Sequence, residues 1–166
     1  MLLLLSCNSP NAEEQARLFT SFSDAEHGYQ FSHPQNWHAR IYRSGIVVSE
    51  VNHPNGSSGV QFRITNLSQS IEQFSTSYTN KSTSDLNGDI IKNQMITVND
   101  IPCLELELTA NRSGKKYYLY QLVYFFENQN KVMIIQAGCQ TSDQSTIAPI
   151  IQKIAKSVNI YQANKL

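Results

Sequence analysis

Charge is what this sequence has least of. Lys and Arg number 13, Asp and Glu number 13, and charged residues make up 16% of the chain, well below the usual quarter or so. A protein that tracks phosphates carries a basic excess, because counterion release drives its binding. A formal net charge of +0 therefore argues against nucleic acid as the main partner. Long apolar runs are missing too. The longest leucine run is Leu2 to Leu5, and a bilayer span needs about 20 apolar residues. The motifs of common catalytic sites are also absent: there is no G-x-S-x-G elbow, no G-x-G-x-x-G or P-loop, and no HxH, HExxH or CxxC spacing. The sequence thus excludes several function classes and names none.

What is present suffices for one folded domain. The 166 residues fall near the common domain size. Hydrophobic residues make up 40%, with 7 Phe, 8 Tyr and one Trp to fill a core. The clearest pattern lies in residues 101–139, which predict three strands joined by two short turns. Leu104, Leu106 and Leu108 alternate with Glu105 and Glu107, placing leucines on one side and polar groups on the other. Residues 117–126 are so rich in aromatic and β-branched side chains that both faces need cover. That strand is expected in the interior of an antiparallel sheet, with layers above and below. Further strands are expected at 16–23, 29–32, 38–42, 46–51, 60–65 and 89–98. Ser70 with Gln73 has the form of a capping box, and Ile71, Phe74 and Tyr78 share one helical face, predicting a helix over about 70–80. Ile147, Ile151, Ile154 and Val158 form one apolar stripe and predict a closing helix over about 146–158. Pro149 is expected in its first turn, where the missing N–H costs no helical bond. Trp37, following Pro34 at a strand end, is expected in the core.

The segment richest in functional signal is the N-terminus. Leu4-Leu5-Ser6-Cys7 resembles the bacterial lipobox, with an aliphatic residue three before the cysteine and a small one just before it. The resemblance implies that the Cys7 thiol receives lipid and becomes the mature N-terminus. The leucine run is shorter than a complete export signal, so this reading needs residues upstream of Met1. The expected organisation is a signal-peptide remnant at 1–7, a polar tether at 8–15, the domain at 16–160 and a tail at 161–166.

Other chemistry-bearing residues carry weaker signals. His27, His33, His38 and His53 all lie in the N-terminal third and invite a metal or small-ligand site. Exposed turn histidines are the plain alternative, and no spacing favours a metal. Glu105 and Glu107 have the composition of an acid–base pair, but such a pair is more often a strand's solvated side, and both are expected to face water. Cys103 and Cys139 are expected unbridged. They lie on the first and third strands of the meander, about 9–10 Å apart, beyond the roughly 7 Å limit between bridged Cα atoms.

Tyr29-Gln30-Phe31-Ser32-His33-Pro34-Gln35-Asn36-Trp37 resembles the entry motif of the PsbP-like superfamily, which includes the DcrB-type bacterial lipoproteins. The likeness extends over about residues 19–160, through Asn99-Asp100-Ile101-Pro102 and the meander to Lys156-Ser157-Val158. It implies an α+β fold, an α/β/α sandwich around an antiparallel sheet, and a lipoprotein habit. It carries no catalytic, cofactor or metal residue onto this chain. The expectation is therefore a non-enzymatic, lipid-anchored protein of the bacterial cell envelope, facing the periplasm or exterior and acting as a binding or assembly module for an unidentified protein partner. The alternative is a periplasmic protein that binds metal or a small ligand through the histidine-bearing loops.

Overall fold

Two-residue turns dictate the central architecture. Asn99 and Asp100 have φ of 51° and 63°, and Ser113 and Gly114 have φ of 51° and 74°. Paired positive φ values match the twist of flanking antiparallel strands, so such loops close hairpins tightly. They join three long strands: β6 (Gly88–Val98), β7 (Ile101–Arg112) and β8 (Lys115–Phe126). The computed structural model describes residues 18–43 and 47–161. Before this hairpin run come β1 (Phe19–Asp24), β2 (Tyr29–Pro34), β3 (His38–Ile41), β4 (Val47–Asn52), β5 (Gly59–Asn66) and helix α1 (Ile71–Leu86). After it come β9 (Lys131–Gln140), helix α2 (Gln144–Lys156) and the short β10 (Asn159–Ile160).

The strands form a seven-stranded sheet in the order β3-β4-β5-β9-β8-β7-β6 and a three-stranded sheet in the order β1-β2-β10. All pairings are antiparallel. The expected interior position of residues 117–126 is observed: β8 lies between β7 and β9, and Tyr118 and residues 120–126 are buried. One face of the large sheet packs on α2 and the small sheet, through Tyr29, Phe31, Trp37, Phe62, Tyr120, Tyr124, Ile151 and Ile154 among others. The other face packs on α1 in a smaller cluster, where Ile71, Phe74 and Tyr78 cover Leu104, Val123, Phe125 and Val132. A helix on each face of an antiparallel sheet is the expected α+β sandwich.

The three-stranded sheet was not anticipated; its third strand is only two residues long and follows the closing helix. Helix α1 also runs past the expected end near residue 80. Its apolar stripe stops at Tyr78, and polar contacts carry it onward. Lys81 pairs with Asp85 at 2.9 Å, Thr83 donates to the Thr79 carbonyl, and the Ser82 hydroxyl donates to Gln121 on β8 at 3.1 Å. Asn87, at φ 45°, then caps the helix by donating to the Thr83 and Ser84 carbonyls. The capping role of Ser70 is as expected, its hydroxyl accepting from the Gln73 N–H. Helix α2 begins two residues before the expected start, so Pro149 sits inside it, past the first turn. The carbonyl that Pro149 leaves without a helical donor belongs to Ser145, and both residues are exposed to water.

Trp37 is buried, with 4% exposure. Its backbone N–H donates to the Pro34 carbonyl at 3.0 Å, and its ring meets that of His53 edge-on at 5.3 Å. Trp37→Ala should lower stability by about 3–5 kcal/mol, read as a reduced urea midpoint; an unchanged midpoint would contradict this packing.

Cys103 and Cys139 are buried free thiols. Cys103 pairs with Tyr124 and Cys139 with Tyr118, near opposite ends of β8. Burial pushes the Cys103 thiol up to about 12 and the Cys139 thiol up to about 11. Iodoacetamide should leave both unmodified in the native protein and alkylate both after unfolding without reductant, as peptide mass spectrometry would show. A linked Cys103–Cys139 peptide would overturn the strand order.

Candidate functional site

The side chains of β7 reach opposite faces of the large sheet, and its two carboxylates, Glu105 and Glu107, behave unlike a solvated strand side. Glu105 is only 2% exposed, which corrects the expectation that Glu105 and Glu107 face water. The last turn of α2 covers Glu105, and donors from three elements surround it. Lys156 lies 2.6 Å from Oε1, and the Tyr120 hydroxyl donates to the same oxygen at 2.9 Å. Gln94 donates to Oε2 at 2.8 Å, with Lys92 3.4 Å away. Glu107 receives Lys92 at 3.2 Å and the Tyr118 hydroxyl at 2.8 Å. Burial opposes ionisation of Glu105, but the hydrogen bonds from Lys156, Tyr120 and Gln94 outweigh it and hold the carboxyl at about 2. A carboxylate so held stays ionised at neutral pH and is poorly suited to carry protons. This pair fastens the closing helix to the sheet.

The histidines do not converge. His27 is 2.9 Å from the buried Asp24 carboxylate. His33 is itself buried, against the expectation of exposed turn histidines; its Nδ1 donates to the Pro34 carbonyl at 2.8 Å, and its ring lies near those of Phe22 and Phe31. His38 is exposed, and His53 is held by Asn55 and Trp37. Among the described residues, no group of three or more His, Cys, Asp or Glu side chains stands where it could share a metal. Cys7 lies outside the described residues.

The concave feature that sequence reading missed lies on the α1 face, beyond the end of that helix. Register places Gln61 of β5 beside Gln136 of β9, and Gln136 beside Gln121 of β8. Three amide side chains thus form a row across the sheet. In the next row, Gly59 faces Gly138, which faces Leu119. A side chain at Gly138 would put its Cβ 2.7 Å from the Leu119 methyl, so glycine keeps this floor open. Three adjoining cavities of about 690, 540 and 210 Å³ follow the row and share Leu86. Arg112 and Tyr117 border the two larger ones; Arg63, Gln121 and Gln136 border the 540 and 210 Å³ cavities. Together they form one open trough.

Polar side chains are interspersed with apolar surface in its lining. Gln61 accepts from Arg63 Nη2 at 3.3 Å, and Gln136 donates to the Tyr78 hydroxyl at 3.2 Å. Two buried polar atoms of the lining, Arg63 Nε and Ser58 Oγ, have no hydrogen-bond partner. Lys81 and Asp85 neutralise each other at the rim.

No family model and no curated protein matches the chain. Solved structures do match its fold. The cyanobacterial PsbP of Synechocystis superposes with a TM-score of 0.64 at 12% identity, over 86% of this chain and 92% of that one. LpqN, described as involved in cell envelope biogenesis of Mycobacterium tuberculosis, gives 0.62 at 14% identity over 87% and 91%. The Saccharomyces cerevisiae Ran-binding protein Mog1p gives 0.66 at 4% identity over 89% and 98%. The chain therefore has the PsbP-like fold that the Tyr29 to Trp37 motif implied.

The Glu105 cluster carries a pH signature. A carboxyl lowered from 4.5 to about 2 stabilises the fold above its unfolded value, and that contribution is lost as pH falls from about 4.5 toward 2. The interval corresponds to at most about 3 kcal/mol. Urea unfolding at stepped pH should show this loss in the wild type and a shallower one in Glu105→Gln. Equal slopes would mean the ion pairs contribute nothing net.

Proposed function

We propose that this PsbP-like chain is a non-enzymatic binding module of the bacterial cell envelope, tethered by lipid on Cys7 and engaging a partner protein through its α1 face. The trough carries the binding half of the reading: an open depression of mixed polar and apolar lining with the unpartnered Arg63 Nε and Ser58 Oγ in it. The described titratable groups support a binding rather than a catalytic role. Glu105 is locked in ion pairs, both thiols of the domain are buried with raised pKa values, and the histidines are held apart. Likeness to LpqN, whose description concerns cell envelope biogenesis, supports the location, and likeness to the Ran-binding Mog1p supports a protein partner.

The anchor rests on Leu4-Leu5-Ser6-Cys7 and the polar residues after it. No helix among the described residues is long and apolar enough to cross a membrane. One acyl chain holds a protein only marginally, whereas two or three hold it firmly, each buried CH₂ contributing about 0.8 kcal/mol. The test uses the native gene with its upstream codons. Radiolabelled palmitate should enter the wild type and be lost in Cys7→Ser, which should also leave the membrane fraction. A wild type without label would remove the anchor from this reading.

A further inference from the structure

The trough has a definite chemistry. Arg63 and Arg112 have no acidic partner within ion-pair distance among the described residues. Apart from Asp85, which is paired with Lys81, the residues lining the trough carry no acid. The C-terminal carbonyls of α1 bring about half a negative charge to this end, which two guanidiniums more than offset. Arg63 leans along β5 toward Gln61, and its buried Nε has no acceptor. At the other side of the 540 Å³ cavity the hydroxyl of Ser58, 7% exposed, is also unpartnered. Buried polar groups in folded proteins are nearly always satisfied, and two exceptions in one depression call for a ligand.

A carboxylate suits these donors, since a guanidinium grips it with two parallel hydrogen bonds. The Gln61-Gln136-Gln121 row adds side-chain amides, each able to donate and accept, spaced about 4.8 Å apart by the strands. Such a row offers both donors and acceptors to the amides of a peptide. The depression is open rather than enclosed, so a chain can pass through it. Tyr78 and Tyr117 border the trough and offer rings to a sugar, so an acidic sugar is the comparison ligand.

We propose that the trough binds an extended acidic peptide segment of a partner protein, with a glutamate or aspartate carboxylate on Arg63 and the peptide backbone along the glutamine row. This rests on the binding-module reading but not on the lipid, so loss of the anchor would leave it standing.

The probe is a fluorescein-labelled, amidated decapeptide of alternating glutamate and serine, titrated by fluorescence anisotropy against the full chain carrying Cys7→Ser. The same peptide with glutamine for glutamate, and an oligogalacturonate, are the comparisons. Binding of the acidic peptide should weaken about tenfold or more in Arg63→Gln, less in Arg63→Lys, and severalfold in Ser58→Ala and Arg112→Gln. It should also weaken with added salt. Circular dichroism melting checks that each variant folds; the surface change Arg112→Gln keeps the test decisive if Arg63→Gln does not. Absent binding, equal binding by all folded variants, equal binding of the glutamine peptide, or preference for the oligogalacturonate would each overturn the proposal.

Discussion

A seven-stranded antiparallel sheet has two faces to bury, and this chain supplies one long helix for each. Helix α1, of 16 residues, covers only part of its face, over Leu104, Val123, Phe125 and Val132. On the α2 face the three-stranded sheet adds the missing cover, so Tyr29, Phe31 and Trp37 complete a large core. On the α1 face no second layer is present among the described residues. The sheet there changes composition where the helix ends. Val123, Ile134 and Leu104 lie in the row beneath it, and Gln121, Gln136 and Gln61 fill the adjacent row. The trough follows from this limit on cover.

The same limit explains the buried charge on the opposite face. The end of α2 lies over a strand whose polar residues were patterned for water. Burying a carboxylate there is costly unless its oxygens are fully engaged, and Glu105 has Lys156, Tyr120, Gln94 and Lys92 around it. Such a pair need add little net stability. What it specifies is position, because another seating of the α2 terminus would take Lys156 from Glu105 Oε1.

Much of the scaffold was legible in the sequence because it rests on local rules. The period of Leu104, Leu106 and Leu108, the aromatic density of β8, the Ser70 cap and the turn pairs Asn99-Asp100 and Ser113-Gly114 all act within a few residues. The misreadings arose where distant contacts decide. Residues 81–86 lack an apolar stripe and are helical through Ser82's bond to Gln121. Glu105 has the sequence pattern of a solvated residue and is covered by a helix some fifty positions later. The trough was illegible for the same reason: Gln61, Gln121 and Gln136 form a row only once register sets them side by side, and Arg63 belongs to no motif. Some signal was available, since glutamine in the middle of otherwise apolar β8 is an anomaly that asks for a partner.

The small sheet also determines how the domain hangs. Strands β1 and β10 both flank β2 and run in the same direction, so the described chain enters beside Pro34 and leaves beside Gly28, where the Tyr161 N–H donates to the Gly28 carbonyl. Both exits open on the side of the large sheet opposite the trough. A leash attached ahead of Leu18 therefore pulls on the back of the molecule. The eleven residue steps from Cys7 to Leu18 reach at most about 38 Å. Under the proposed anchor the tether would join the face of the small sheet and the glutamine row would open on the opposite face, like a palm offered away from the wrist.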